Sequence, residues 1–156
     1  MSGKALISLT TGLEDAEKVT VAFLVSVGAA EQGRETLMFL TKEAVRLAMD
    51  GIATGTGCEG CPPLASLVQR YAAAGGRYFV CPICFDSRKL DKGDLIPGAE
   101  LGGTVPMWQW IGDENATTFS YCRAHTRNEQ GGIWETSGPP RTDCRTDEEA
   151  TSWTCA

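Results

Sequence analysis

Two cysteine pairs carry the strongest chemical signal in this chain of 156 residues. Cys58 and Cys61 form one Cys-x-x-Cys pair, and Cys81 and Cys84 form the other. Thiols at this spacing bind soft metal ions, form disulfides or exchange sulfur. Each pair lies beside glycine or proline residues, a composition that is typical of turns. The sequence therefore predicts a site whose chemistry is that of cysteine sulfur.

A structural zinc site is one interpretation of the two pairs. Nineteen residues separate Cys61 from Cys81, which is within the usual spacing for four thiolates around one metal ion. Cys58, Cys61, Cys81 and Cys84 would then be the four ligands. The residues between the pairs, however, are predicted to form a helix and a core strand, not the short hairpins of a zinc ribbon.

Redox or sulfur-transfer chemistry is the second interpretation. Cys81 lies where a predicted strand ends, and the backbone N–H groups of a following helix can stabilise a thiolate there. Such a thiolate can attack a persulfide or disulfide and hold sulfane sulfur, with Cys84 as a resolving thiol. Arg88 and Lys89 could add positive potential. A glycine-rich loop over residues 55–60 could bring two auxiliary thiols, Cys58 and Cys61, to the same edge.

A third interpretation is that some cysteines are simply buried, since free cysteine is among the most buried residue types. This suits a single cysteine at the end of a core strand better than two matched pairs in turns. Three further cysteines lack matched spacing and are interpreted as incidental: Cys122, Cys144 and Cys155. The lone histidine, His125, lies outside the predicted domain, which argues against a Cys-His nucleophile and base pair.

The elements that must position these cysteines alternate between strands and helices. Short apolar runs predict strands at residues 4–10, 36–40, 77–81, 99–101 and 117–121. Helical periodicity predicts helices at residues 14–31, 43–49 and 64–72, with short helical pieces at 94–96 and 106–111. This alternation predicts an α/β fold with a parallel sheet and helices on both faces.

Composition limits the classes of function and the location. The net charge of −6 argues against nucleic acid, whose phosphates need a basic surface. The longest apolar run, residues 19–30, is too short to span a membrane, and the N-terminus has no signal-peptide pattern. We therefore expect a cytoplasmic protein without a membrane partner. Residues 1–121 form the predicted domain, and residues 122–156 are expected to be a polar, disordered tail.

Five segments in the predicted domain resemble the DsrE/DsrF-like family of small sulfur-relay proteins, in particular its actinobacterial branch. Their order along the chain carries the resemblance, together with the cysteine that follows the third strand. The segments are Lys4-Ala5-Leu6-Ile7-Ser8, Met38-Phe39-Leu40, Arg77-Tyr78-Phe79-Val80-Cys81, Gly98-Ala99-Glu100-Leu101 and Thr118-Phe119-Ser120-Tyr121. The resemblance covers residues 1–121.

The resemblance implies a three-layer α/β/α domain with a five-stranded, mostly parallel sheet, assembled as a homotrimer or homohexamer. It also implies a carrier that passes sulfane sulfur between donor and acceptor proteins, similar to a sulfurtransferase but without turnover of a small molecule. By position, Cys81 resembles the sulfur-accepting cysteine. Cys58, Cys61 and Cys84 lie outside the general family pattern. No cofactor is expected under this interpretation, and zinc belongs to the alternative of a structural or interaction module.

Overall fold

Five parallel strands form a single sheet in the order β4-β3-β2-β1-β5. The structure is a computed structural model and describes residues 3–54 and 56–122. The strands are β1 (Lys4–Leu9), β2 (Glu35–Leu40), β3 (Arg77–Val80), β4 (Ala99–Leu101) and β5 (Ala116–Tyr121). The α-helices are α1 (Ala16–Glu31), α2 (Leu64–Ala73), α3 (Pro82–Ser87) and α4 (Thr104–Ile111). Short 3-10 helices cover Leu13–Asp15, Lys42–Ala48 and Lys92–Asp94.

The larger core lies between one face of the sheet and the helices α1 and α2. Alternate strand residues such as Ile7, Met38 and Tyr78 point to this face, as the two-residue period of a strand requires. Phe23 of α1 and Tyr71 of α2 pack against them. This face buries most of the apolar side chains and fixes the positions of the three central strands.

A smaller core covers the opposite face of the sheet. Leu6, Leu37 and Phe79 point to this side and pack against Trp110 of α4. The sheet is therefore enclosed between helices on both faces. This arrangement confirms the predicted three-layer α/β/α fold with its five-stranded parallel sheet.

Local chain signals explain where α1 begins and ends. The side chain of Asp15 accepts a hydrogen bond from the backbone N–H of Lys18 at 3.0 Å, which satisfies one free donor of the first turn. Gly33, with φ of +78°, follows the helix in a conformation that favours glycine. The chain can therefore turn sharply into β2, which is the neighbour of β1.

The structure differs from the sequence prediction in three short segments. The helical piece predicted at residues 94–96 lies earlier, as the 3-10 helix Lys92–Asp94, and Leu95 instead forms an isolated β-bridge with Met49. Residues 42–48 form a 3-10 helix instead of the predicted short α-helix. Residues 82–87 form α3 directly after β3, where the sequence prediction had given no bounds for a helix. The predicted tail, apart from Cys122, lies outside the described residues. Within residues 3–54 and 56–122, no helix has the length and apolar character needed to cross a membrane.

Candidate functional site

Cys81 lies at the carboxyl end of β3, at the edge of the sheet where open parallel sheets place their sites. Its backbone N–H donates to the carbonyl of Leu40 at 2.9 Å, which continues the pairing of β3 with β2. Its carbonyl accepts from the N–H of Phe85 at 2.9 Å, so Cys81 also caps α3. Pro82 begins the helix, a position where proline is favoured. Strand and helix together therefore fix the backbone of Cys81.

Cys84 lies one turn further along α3, and both thiols are free. Both side chains are half-buried and pack against the margin of the larger core. The carbonyl of Cys84 accepts hydrogen bonds from the hydroxyl of Ser87 and from Nη1 of Arg88, each at 3.0 Å. The structure therefore brings Cys81 and Cys84 together on one short helix, with Arg88 attached to the same turn.

Arg88, which is expected from the sequence to add positive potential near the cysteines, forms an ion pair with Glu43 in the structure. Its Nε and Nη2 donate to Oε1 of Glu43 at 2.9 and 2.6 Å. This hydrogen bond lowers the pKa of Glu43, with a smaller contribution from Arg46. The same bond is the main cause that raises the pKa of Arg88, and the charges of Cys84 and Cys81 raise it further. Arg88 therefore interacts electrostatically with both thiols while Glu43 neutralises it.

An open pocket of about 500 Å³ lies beside this ion pair. Among the residues that the structure describes, its lining includes Leu13, Glu14, Glu43, Arg46 and Ile52. The backbone N–H of Gly12, which precedes this lining, donates to the carboxylate of Glu14 at 2.9 Å. Glu43 thus contributes both to the pocket and to the ion pair with Arg88. Glu43 is not identifiable from the sequence as part of the site, because it lies 45 positions before Arg88 in the chain.

Cys58 and Cys61 are bonded to each other as a disulfide, with their Cα atoms 5.1 Å apart. The backbone N–H of Cys61 donates to the carbonyl of Cys58 at 3.0 Å, and Gly60 has a φ of +77° within this tight turn. Sγ of Cys58 lies 3.7 Å from the hydroxyl oxygen of Thr20 on α1. The turn is therefore anchored beside α1, and its two sulfurs are paired with each other.

The four cysteines do not form a single cluster in this structure. Among residues 3–54 and 56–122, no group of three or more histidine, cysteine or acidic side chains is arranged to hold a metal ion. Zinc coordination by all four cysteines would require the disulfide to be reduced and the turn at Cys58 to move. The zinc site therefore stays a prediction.

Cys122, Trp108 and Trp110 differ in position and in exposure. Cys122 directly follows β5 and is exposed, so it too lies at the carboxyl edge of the sheet. Two strands, β2 and β1, lie between the strand that precedes Cys122 and the strand that precedes Cys81. Trp110 is buried in the smaller core, whereas Trp108 is 65% exposed. Of these two aromatic side chains, only Trp108 is available to a partner.

The site belongs to a class of parallel α/β proteins with a half-buried cysteine immediately after a central strand. The chain matches the DsrE/DsrF-like family over residues 3–119, which is well over half of its length. The protein is therefore a member of the DsrE/DsrF-like family, as its sequence segments predicted.

A curated relative and two solved structures are similar to this chain. The uncharacterized protein MJ0760 of Methanocaldococcus jannaschii is 24% identical over 106 residues, which cover 68% of this chain and 38% of that protein. The chain thus spans well under half the length of this relative. The crystal structure of the ychN protein from E. coli has a TM-score of 0.62 at 22% identity and covers 76% of this chain and 100% of that one.

The second solved structure is the protein MTH1491 from Methanobacterium thermoautotrophicum, whose function is unknown. It has a TM-score of 0.55 at 11% identity and covers 76% of this chain and 99% of that one. At such low identities the two structures support the shared fold alone. They assign no role to any cysteine of this chain.

Proposed function

We propose that this protein is an intracellular sulfur-relay carrier that holds sulfane sulfur as a persulfide on Cys81 and passes it to a partner protein. The observation that carries the proposal is a free, half-buried thiol at the carboxyl end of a central strand, in a chain of the DsrE/DsrF-like family. Partial burial suits a persulfide carrier, since it protects the bound sulfur from solution reductants while leaving one face open to a partner.

The loading step transfers one neutral sulfur atom without net oxidation. The Cys81 thiolate attacks the outer sulfur of a donor persulfide, R–S–SH, and a new S–S bond forms at Cys81. The S–S bond of the donor breaks, and the donor thiolate leaves with the electron pair. The outer sulfur keeps its proton. The reverse sequence delivers the sulfur to an acceptor thiolate.

Cys84 supports an alternative outcome for the loaded carrier. Its thiolate can attack Sγ of the Cys81 persulfide, which forms a Cys81–Cys84 disulfide and releases hydrosulfide, HS⁻. The outer sulfur takes the electron pair of the broken bond, and the two cysteines are oxidised to a disulfide. Cys84 is therefore assigned the role of resolving thiol, which empties the carrier when no acceptor is present.

The proposal predicts that Cys81→Ser abolishes sulfur loading and leaves the fold intact. The reduced protein is exposed to a small persulfide donor, and native mass spectrometry records the gain of whole sulfur atoms that a reductant removes. We expect loading in the wild type and none at this position in Cys81→Ser. Peptide mapping locates the added sulfur, because Cys84 and Cys122 are also free.

Cys84→Ser is the matched control for this experiment. It removes a half-buried thiol from the same helix but leaves the loaded form of Cys81 intact. We expect normal loading and slower release of hydrosulfide in this variant. Full loading in Cys81→Ser, or loading of Cys84 alone in the wild type, would contradict the assignment.

The partners and assembly belong to the same proposal. A carrier requires a donor protein and an acceptor protein, and we expect it to act in the cytoplasm as a homotrimer or homohexamer. Glutathione and thioredoxin keep thiols reduced in that compartment, so Cys58 and Cys61 would be available there as auxiliary thiols. The alternative, a structural zinc or interaction module, predicts a different response to metal removal.

A further inference from the structure

The carboxylate of Glu43 lies between two arginines that differ in their surroundings. Oε1 accepts both hydrogen bonds from Arg88, and Oε2 accepts one from Nε of Arg46 at 3.1 Å. The side chain of Arg88 is 20% exposed, whereas that of Arg46 is 48% exposed. Arg88 is therefore the more enclosed partner, and solvent screens its charge less.

The guanidinium of Arg88 links this ion pair to the cysteines. Its Nη1 donates to the carbonyl of Cys84 at 3.0 Å while Nε and Nη2 hold Glu43. Three of its nitrogens are thus engaged, which fixes the plane of the group against α3. Since the guanidinium lies against the short helix that follows Cys81 and carries Cys84, the charge of the ion pair also acts on an anion that approaches those sulfurs.

Other charged groups near the cysteines have a weaker effect. Asp86 on α3 and Lys89, which follows Arg88 beyond the end of α3, have opposite signs and are exposed. Glu14 lines the pocket beside Glu43, and its carboxylate is occupied by the N–H of Gly12. Exposed charges of opposite sign largely cancel for a ligand at the site. The ion pair of Glu43 with Arg88 is therefore the main local determinant of charge preference.

We propose that Glu43 is a specificity-determining residue. By neutralising Arg88, it limits the attraction of the Cys81 site for small sulfur anions such as polysulfide. It thereby favours sulfur that is presented as a persulfide on a partner protein. This inference rests on the proposed function and adds the class of donor. Without Glu43, the guanidinium would attract inorganic sulfur anions directly. With Glu43 in place, the donor must gain its affinity from contacts with the protein surface.

The test compares two alkylating reagents that differ in charge. Cys81 of the reduced full-length protein reacts with anionic iodoacetate and with neutral iodoacetamide, and peptide mass spectrometry follows the modification of Cys81 alone. The ratio of the two rates reports the local potential. A change in thiolate fraction or in general access affects both reagents alike, so a purely structural role would not change this ratio.

We expect Glu43→Gln to raise the ratio of iodoacetate to iodoacetamide rates about threefold, because one unit of neutralising charge is lost at a partly solvated site. Arg88→Gln should lower the ratio by about the same factor. Glu43→Gln should also load more quickly from inorganic polysulfide. Glu31→Gln is the matched control, since Glu31 forms a similar ion pair with Arg70 near the start of β2, and its ratio should equal that of the wild type.

An unchanged ratio in both variants, or a shift in the same direction in both, would overturn the inference. Circular dichroism checks that each variant folds.

The salt dependence of the wild type provides a second test. If Glu43 neutralises Arg88, the remaining field comes from a protein of net charge −6. The ratio of iodoacetate to iodoacetamide rates should then stay constant or rise as salt is added. A steep fall with salt would overturn the inference. Alkylation needs no sulfur loading, so failure of the relay and failure of this inference give different results.

Discussion

Tyr71 and Tyr78 are neighbours in the larger core, but their hydroxyl groups have different surroundings. The ring centroids are 5.0 Å apart, and both side chains are fully buried. The hydroxyl oxygen of Tyr71 lies 3.1 Å from the carbonyl of Thr36 and 3.0 Å from that of Arg77, so it can donate to either. The hydroxyl of Tyr78 has no hydrogen-bond partner among the described residues. A buried hydroxyl without a partner carries a desolvation cost.

Replacing each tyrosine with phenylalanine should therefore have different effects at neutral pH. Tyr71→Phe should lower the free energy of unfolding by about 1–2 kcal/mol, because the carbonyls of Thr36 and Arg77 lose a donor. Tyr78→Phe should leave it unchanged or raise it by up to about 1 kcal/mol, because no hydrogen bond is lost. Urea unfolding measures both values. An equal cost for the two variants would contradict this account of the core.

The stability of the protein should also depend on alkaline pH, and the same two variants test this dependence. Burial raises the pKa of Tyr71 and of Tyr78 above the usual value for tyrosine. A raised pKa in the folded state means that the stabilisation is complete below about pH 10 and is lost as the pH rises further. The wild type should thus lose stability above about pH 10, and Tyr78→Phe should lose less. Parallel pH profiles would exclude Tyr78 as a source of this loss.

At the scale of elements, the sequence predicts most of the fold because local patterns determine it. The strand that precedes Cys81 is recognisable from four consecutive residues, Arg77–Val80. The smaller core is harder to predict, because Leu6, Phe79 and Trp110 meet only after the sheet has formed. Trp108 and Trp110 therefore look equivalent in the sequence, although one is exposed and the other is buried.

Some residues of the candidate site are identified by the sequence around them, whereas others come together only in the folded structure. Cys81 and Cys84 are predictable because a strand end and a short spacing identify them. Glu43 is not predictable, because its pairing with Arg88 depends on how the 3-10 helix Lys42–Ala48 packs against α3. The disulfide between Cys58 and Cys61 is likewise not predictable, because the same spacing occurs in metal sites, in disulfides and in free thiol pairs.

Removing Cys58 and Cys61 tests whether their turn holds a disulfide or dithiol, or part of a zinc site. A disulfide that closes so short a loop stabilises by about 2 kcal/mol at most, whereas structural zinc contributes about 10 kcal/mol or more. We expect the double variant Cys58→Ser, Cys61→Ser to fold and to lose no more than the smaller value. We also expect a chelator to leave the melting temperature of the reduced wild type unchanged.

The matched control for this experiment is the double variant Cys81→Ser, Cys84→Ser, measured with and without the chelator. Under the relay proposal, neither double variant should respond to the chelator. If zinc joins all four cysteines, both variants should be strongly destabilised and only the wild type should respond. A large fall in the melting temperature of the wild type on metal removal would favour the zinc module over the relay.

For the whole molecule, the expected assembly requires a surface of the domain that can form contacts between copies. Trp110 is enclosed within the domain and leaves Val105 and Trp108 as the exposed apolar residues of α4, at 66% and 65% exposure. On the opposite layer, α1 exposes Val21 and Leu24 less completely. Aromatic side chains are enriched at interfaces, and a stable interface buries more than about 1,000 Å² in total. The layer of α4 is therefore the expected contact surface.

We expect sedimentation at micromolar concentration to give a trimer or hexamer, and Trp108→Glu to shift it towards the monomer. A buried carboxylate in place of the indole would be desolvated without a partner, which costs several kcal/mol at each contact. Leu24→Glu on α1 is the matched control and should leave the assembly intact. Dissociation by Leu24→Glu alone would place the interface on the other layer, and a monomeric wild type would contradict the expected assembly itself. The sulfur loading of dissociated Trp108→Glu would also reveal whether the Cys81 site is complete within one subunit.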